Sequence, residues 1–426
     1  MKAADAVRGS TGICCSFAGC RRFTGIMKKF SIILSIILCP LLLFMIIFAA
    51  CSSLPSADAR TVAVKPAAVD RPAVVPVQWQ VVGCRNFSSE KALDLSFALG
   101  SGNIPYVAFG DGCNSGRLTV MKYDGQAWVT VGAADFSADC ATYTALAVTS
   151  DGTPYVAYQD CGNGQRLTVK RFDGSAWQTV GTEGFSSGAA SYISLTFDAN
   201  AAPCVAYMDG WNNSNRILVM KYNGISWQQT GSGYVSDGEA AYAGIASARN
   251  GTLYAAFMDF DCGRKATVKK YNGISWETVG TAGFSAGYAY GLRIVLDSDQ
   301  KPVVAYTDCA NGQKATVMKF DGMSWRPVGA EGFSAGQASY IDIVPSPDGA
   351  LYTVYRDGSC GNKTAVMKYT AEHSSASWTD AAGAGISAEE CGHTCIALSA
   401  AGIPYVAYTR DADGRVTVMK YGTAAD

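Results

Sequence analysis

Seven tryptophans, Trp79, Trp128, Trp177, Trp227, Trp276, Trp325 and Trp378, recur along this chain at intervals of 49, 49, 50, 49, 49 and 53 residues. Between them the same text is rewritten each time: a Gly-Phe-Ser start, a Pro-Tyr-Val-Ala-Tyr-x-Asp centre and a Val-Met-Lys-Tyr-Asp-Gly end. A fixed period of this length describes stacked units, none of which can bury its apolar face alone. The fold must therefore be an array of like pieces.

Within residues 139 to 183, four short runs rich in Val, Thr, Tyr and Phe predict four strands: Thr142 to Thr149, Pro154 to Gln159, Arg166 to Phe172 and Ala176 to Gly181. Asp151-Gly152 and Asp173-Gly174 stand at the first and third turns, where Asp-Gly favours tight hairpins. The third turn recurs as Asp124-Gly125, Asn223-Gly224, Asn272-Gly273 and Asp321-Gly322, and only the sixth repeat interrupts it, with an insertion from Thr370 to Ser377. Four antiparallel strands per unit make a propeller blade. The repeats begin with a lone fourth strand, Val77 to Gly83, and stop after a third strand, Val416 to Tyr421. Joined, these leftovers complete one blade and remove the open sheet edges. The expected fold is an all-β, seven-bladed propeller over residues 76 to 421, its N-terminal strand completing the last blade, with a tail from 422 to 426.

The first fifty residues have a different character. Residues 1 to 26 carry no export feature and read as an overextended start. Met27-Lys28-Lys29 then opens a short basic segment, followed by an apolar run from Phe30 to Phe48-Ala49-Ala50-Cys51. Small residues before a cysteine resemble a bacterial lipoprotein signal peptide over 27 to 50, which implies Cys51 as the lipidated first residue of the mature chain. Phe48 departs from the leucine usual there. The alternative is an uncleaved anchor, since about 20 apolar residues can cross a bilayer. Residues 51 to 75, rich in Ala, Pro and Val, read as a tether.

Without residues 1 to 51 the chain keeps 28 basic and 34 acidic residues, a net charge of 28 − 34 = −6. The basic residues are spread through the repeats, which excludes the basic stripe of a nucleic-acid binder. Ten cysteines remain after Cys51, in keeping with export to a compartment where disulfides persist. Cys113 with Cys140, and Cys360 with Cys391, are the expected pairs, each tying the middle loop of a blade to the connection leaving it.

In a propeller the fourth-to-first and second-to-third connections share one face and the hairpins share the other. The longer, more variable loops fall on the first face, where binding is expected. There, six aspartates end the second strands: Asp111, Asp160, Asp209, Asp259, Asp308 and Asp357. Basic residues face them across each loop at Arg117, Arg166, Arg216, Lys265, Lys314 and Lys363, an arrangement read as hairpin clamps rather than as a metal ring. Tyr143, Tyr192, Tyr242 and Tyr340, with the preceding Phe-Ser pairs, read as packing between blades. That tyrosine becomes Asp94 in the first repeat and His393 in the seventh, where Arg410 also replaces the strand-end aspartate. With Glu389 and Glu390 in the same loops, these charges are expected to converge on the seam between blades seven and one as a polar ligand pocket. Trp211, the one tryptophan outside the register, is flanked by Asn212 and Asn213 and suits a sugar ring or a protein partner.

Catalytic parts are scarce. The chain has two histidines, His373 and His393, and no nucleophile elbow, phosphate loop or zinc-protease motif. Cys391-Gly-His393-Thr-Cys395 would place its sulfurs about 13 Å apart in an extended strand, too far to share an ion. No catalytic residue, metal or cofactor is assigned.

The repeat, as in Gly-Phe-Ser-Ala-Gly at 332 to 336, Pro-Tyr-Val-Ala-Tyr at 154 to 158 and Thr-Val-Met-Lys-Phe at 316 to 320, resembles that of a family of bacterial surface and lipoprotein propellers. The resemblance covers residues 76 to 421 and implies a fold rather than a function. The reading is an exported, membrane-anchored lipoprotein of the bacterial envelope, on the periplasmic or surface side of the outer membrane, monomeric and non-enzymatic. It would bind a protein or glycan through the variable loop face. A polysaccharide-acting hydrolase or lyase using Asp94 and His393, or an envelope-assembly scaffold, are the alternatives. Cys51→Ala is expected to move the chain from the membrane to the soluble fraction; continued sedimentation with membranes would refute lipid anchoring.

Overall fold

The computed structural model describes residues 77–210, 214–371, 377–381, 383 and 385–422. The signal segment, Cys51, the tether, Trp211, Asn212, Asn213 and His373 lie outside them.

Seven four-stranded antiparallel sheets follow one another around a ring. In six of them the strands are consecutive. In the seventh, Cys391–Leu398, Pro404–Arg410 and Val416–Gly422 are completed by Gln78–Val81, with Trp79 opposite Tyr421. The innermost strands touch in a closed cycle, Cys391–Leu398 lying against Ala92–Leu99. The blade count, the closure and the donated N-terminal strand are as the sequence requires. Strand ends differ slightly: the fourth strand of the second blade is Trp177–Thr179, shorter than its apolar run. In the first five blades four residues separate the third strand from the fourth, and a backbone bond such as Asp173 N to the Ala176 carbonyl at 3.1 Å closes the turn. There the Asp173 carboxylate accepts the amides of Ser175 and Ala176 at 2.9 and 2.8 Å while Gly174 sits at φ +100°.

The core lies between blades. Second strands are flanked on both sides and are buried end to end, as in Pro105–Asp111. Each apolar cluster draws on two neighbours: Ala108, Leu118 and Val120 of the first blade meet Ala141, Leu146 and Val156 of the second. The same holds at the closure, where Val107 and Phe109 meet Ala407 and Val418. No blade can therefore bury its apolar surface without the next.

The tryptophans fasten these interfaces. Each indole N–H but one donates to a carbonyl that follows the outer strand of the preceding blade: Trp128 to Val82 at 2.9 Å, Trp227 to Val180 at 2.7 Å, Trp325 to Val279 at 2.8 Å. The phenylalanine of each Gly-Phe-Ser stacks on the same indole, Phe185 on Trp227 at 4.5 Å and 4° and Phe284 on Trp325 at 4.0 Å and 8°. The Phe-Ser pairs thus pack between blades as expected. The glycine after the outer strand has to be glycine: Gly132 has φ +71°, and a Cβ there would lie 2.8 Å from the Phe172 ring.

Two expectations need correction. The disulfide joins Cys140 to Cys161 and leaves Cys113 free. Ala141 faces Asp160, so the next pair outward is Cys140 with Cys161, their Cα atoms 5.3 Å apart, whereas Cys113 sits in the turn of the neighbouring blade. Cys360 and Cys391 are likewise free: Cys391 faces Arg410 across its own sheet and is buried, which pushes its thiol up to about 11. The strand-end aspartates do cap their turns, Asp111 accepting from Cys113 N at 3.0 Å and Asp357 from Ser359 N at 2.8 Å. However, threonine hydroxyls rather than the facing cations complete them, as Thr168 does for Asp160 at 2.8 Å and Thr316 for Asp308 at 3.1 Å. Among the described residues no ion pair joins Asp111, Asp160, Asp259, Asp308 or Asp357 to the basic residue opposite.

Trp79, the first register tryptophan, has no partner for its buried indole N–H among the described residues. Trp227→Phe leaves the Val180 carbonyl unpaired and should lower stability by about 1–3 kcal/mol beyond the lost ring area. Trp79→Phe loses only packing and should cost clearly less; denaturant midpoints in the reverse order would refute the role given to the indole bond.

Candidate functional site

The inner strands do not run evenly. In the second blade Thr142 faces Gln159 and Ala145 faces Ala157, so Tyr143 and Thr144 share one partner residue. The same bulge recurs in the first six blades, between Leu93 and Ser96 in the first and between Ser339 and Asp342 in the sixth, and in the seventh it falls one residue earlier, between Cys391 and Thr394. A bulge bends the strand and re-aims a side chain. The re-aimed position is occupied in turn by Asp94, Tyr143, Tyr192, Tyr242, Gly291, Tyr340 and His393.

Five of these are non-glycine residues held at positive φ: Asp94 at 49°, Tyr143 at 51°, Tyr192 at 52°, Tyr242 at 57° and Tyr340 at 52°. Gly291 follows at 59°. Left-handed backbone at a bulky aromatic costs on the order of 1 kcal/mol or more per site, and strain of this kind gathers at ligand sites. The geometry is held by cross-blade bonds that the bulge makes available: Tyr143 N donates to Asp94 Oδ2 at 2.9 Å, Leu146 N to Ser96 Oγ at 2.9 Å, and Ile396 N to Asp342 Oδ2 at 3.0 Å.

The result is a cavity of about 500 Å³ at the centre of the ring. It is lined by all seven of these positions and by Tyr290, Arg293 and Gln313. Gln313 belongs to a second-to-third-strand connection, so the cavity lies toward the variable loop face. Its wall is an arc of tyrosines in contact, Tyr143 to Tyr192 at 5.3 Å, Tyr192 to Tyr242 at 4.6 Å and Tyr242 to Tyr290 at 6.1 Å between ring centroids. Beyond Gly291 the wall resumes with Tyr340 and His393, 4.6 Å apart. Burial raises the Tyr192 hydroxyl and pushes that of Tyr242 up to about 12, so both remain protonated donors.

The charged groups sit in the remaining sector. Arg293 has a side chain 54% exposed, and its guanidinium makes one bond, to the Leu292 carbonyl at 3.3 Å, and a loose approach to Asp342 at 3.9 Å. Asp342 is spent on the amides of Ile343 and Ile396, and burial raises its carboxyl. Burial lowers His393, Asp94 opposes that shift, and Arg293 adds to it.

Asp94 and His393 are thus brought together, as the repeat-breaking pattern suggested, but in the central cavity. Glu389, Glu390 and Arg410 lie apart from them, around a cleft of about 40 Å³ with Arg85 and Tyr408. They are tied up locally, Arg410 with Asp413 and with Glu389 at 3.4 Å, and Glu390 with Arg356 at 3.8 Å. The tyrosines do touch across blades, yet they line a cavity instead of filling a core. Arg293, Tyr290 and Asp342 were missed in the sequence. The signal for Arg293 and Asp342 was a second break in the repeat: inner-strand charges where other blades carry Ser96, Ala145, Ser194 or Gly244.

No protein-family model matches the sequence, and no curated protein matches it. Solved structures match in fold. An ulvan lyase of a new polysaccharide lyase family, bound to a saccharide of glucuronic acid and sulfated rhamnose, has TM-score 0.50 and 11% identity, covering 80% of this chain and 95% of its own. A fungal alcohol oxidase in complex with copper has TM-score 0.52 and 11% identity, over 82% of this chain and 76% of its own. The Aleuria aurantia lectin, with a fucosylated sugar, has TM-score 0.44 and 15% identity, over 72% and 99%.

His393 should titrate below the ordinary 6.5. By NMR, Asp94→Asn should carry its midpoint lower still and Arg293→Gln should carry it higher. Between the folded value and 6.5 the unfolded chain binds more protons, so this group makes the fold lose stability as pH falls through that window. Shifts of the opposite sign in the two variants would show that these charges do not face His393.

Proposed function

We propose that this propeller is a glycan-binding protein of the bacterial envelope, lipid-tethered through Cys51, whose ligand seats in the central cavity. The observation that carries the reading is the strained tyrosine arc. Four aromatic rings in contact, Tyr143, Tyr192, Tyr242 and Tyr290, offer faces and edges on which the apolar side of a sugar ring can stack. Their hydroxyls, Asp94, Arg293 and Gln313 offer hydrogen bonds to its polar edge. A concave site of this volume suits one or two sugar units and is too narrow for the surface of a folded protein. Trp211, Asn212 and Asn213 are proposed as an outer contact for a longer chain. The ulvan lyase shares the fold, and that likeness extends no further than the fold.

Cleavage of an acidic polysaccharide by elimination is the second reading, favoured by one observation. Burial keeps His393 neutral beside Tyr340, a base and an acid in contact, with Arg293 near enough to affect its proton. Hydrolysis by paired carboxylates is disfavoured, because Asp94 and Asp342 are both engaged by backbone amides.

On a glycan array the mature domain should bind a defined saccharide class, with Tyr192→Ala and Tyr242→Ala each weakening it about tenfold, near 1.4 kcal/mol. Trp211→Ala should affect only longer oligomers. Binding indifferent to both tyrosines would place the ligand elsewhere. Turnover that is lost in His393→Ala while binding persists would establish the lyase, and no saccharide binding at all would leave the scaffold role.

A further inference from the structure

Six large hydrophobic side chains stand exposed among the described residues, and they fall into two groups. Tyr288 and Tyr340 belong to the loop face and its cavity. The other four are on the opposite, hairpin face. Ile225, Ile274 and Met323 are 85%, 80% and 90% exposed and hold the same place in the third-to-fourth hairpins of three successive blades. Val77, 52% exposed, directly precedes the strand Gln78–Val81. Outer strands run from the hairpin face to the loop face, and Trp79 pairs with Tyr421 at the end of a third strand. The chain therefore enters the propeller from the hairpin face.

Nothing in the turn itself demands an apolar residue at these tips. The first two blades carry Gln126 and Ser175 at the same place, and the turn is made by the side chain two residues before, as Asn272 does for Ile274 N at 2.9 Å and Asp321 for Met323 N. These three blades are neighbours on one side of the ring and the first blade lies across from them, so a face tilted toward the apolar tips immerses all three and lifts the Gln126 tip.

We propose that the hairpin face rests on a lipid bilayer, with Ile225, Ile274 and Met323 dipping into its interfacial layer. The argument for lipid as the occupant is the chain itself. Cys51, the expected lipidation site, precedes Val77 by 26 residues (77 − 51). In polyproline form that length spans roughly 80 Å, so the bilayer lies within reach of the face from which the chain departs. Near the tips Lys221 pairs with Asp198, Lys319 with Asp297 and Lys270 with Glu277 at 3.9 Å, while Lys301 Nζ donates to the Asp321 carbonyl at 2.9 Å. The exposed tip side chains themselves are apolar, so the contact should persist in high salt. Docked this way, the propeller turns its cavity away from the membrane. This inference is independent of which ligand the cavity takes.

The test uses the full chain reconstituted on vesicles of phosphatidylethanolamine and phosphatidylglycerol with brominated acyl chains. Met323→Trp places a fluorophore at an apolar tip and Gln126→Trp places one at the equivalent polar tip. The emission added by Met323→Trp should be at least halved by the brominated lipid, at low and high salt alike, while that added by Gln126→Trp is unchanged. Equal quenching at both tips, no quenching at either, or a chain that does not float with the vesicles would overturn the proposal.

Discussion

The indole bond made by six of the seven register tryptophans is the interaction on which the ring depends. The tryptophan belongs to the outer strand of one blade and donates to a carbonyl of the blade before, and Trp227, for one, also lies beneath the phenylalanine of the connection between them, Phe185. One side chain thus fixes the spacing, tilt and register of two sheets at the periphery, where an interface would otherwise splay. Buried apolar area supplies most of the attraction. What it cannot supply is direction, and a ring of seven closes only if every junction turns by the same angle. A directional bond repeated at six of the seven junctions serves that need, and tryptophan holds the register at each of them.

With the periphery fixed, the centre can tolerate strain. The inner strands carry a bulge in every blade and hold large side chains at positive φ, an arrangement that an isolated sheet would relax. The bulges free backbone amides that neighbouring blades then satisfy, Asp94 taking the amide of Tyr143 and Asp342 that of Ile396. Side chains that would have alternated between the sheet's two faces are directed together into the axis. The cavity is therefore a product of the scaffold's surplus rigidity.

The propeller was legible because its evidence is repetition: turn residues, strand runs and leftover end strands add up to seven blades whichever copy is read. The cavity was harder to see for the same reason. Tyr143, Tyr192, Tyr242 and Tyr340 recur, and recurrence reads as packing; a bulge shifts strand parity without leaving a diagnostic residue. Asp94 and His393 could be found because they break the pattern, yet pattern alone assigned Glu389, Glu390 and Arg410 to the same place. Those side chains stand before the inner strand or at the end of the second one, and local ion pairs with Arg356 and Asp413 hold them outside the cavity. Cys113 was matched to Cys140 by loop membership, whereas pairing follows sheet register, which puts Cys161 opposite.

The departures from the repeat are not scattered around the axis. Blades two, three and four contribute the unbroken run Tyr143, Tyr192 and Tyr242, each ring against the next. Blades five, six, seven and one contribute Gly291 with Arg293, Tyr340, His393, and Asp94. Seven copies of one unit have become a cavity with an aromatic half and a polar half. A symmetric ring would present the same surface in every direction and could hold a ligand in seven equivalent poses. Division into two halves selects one pose, and it suits a molecule that is itself two-sided. A pyranose has that character, with apolar C–H groups on one face and hydroxyls along its edge. The asymmetry of the centre, set against the regularity of the tryptophan periphery, is the strongest physical reason to place recognition at the axis rather than on the loops around it.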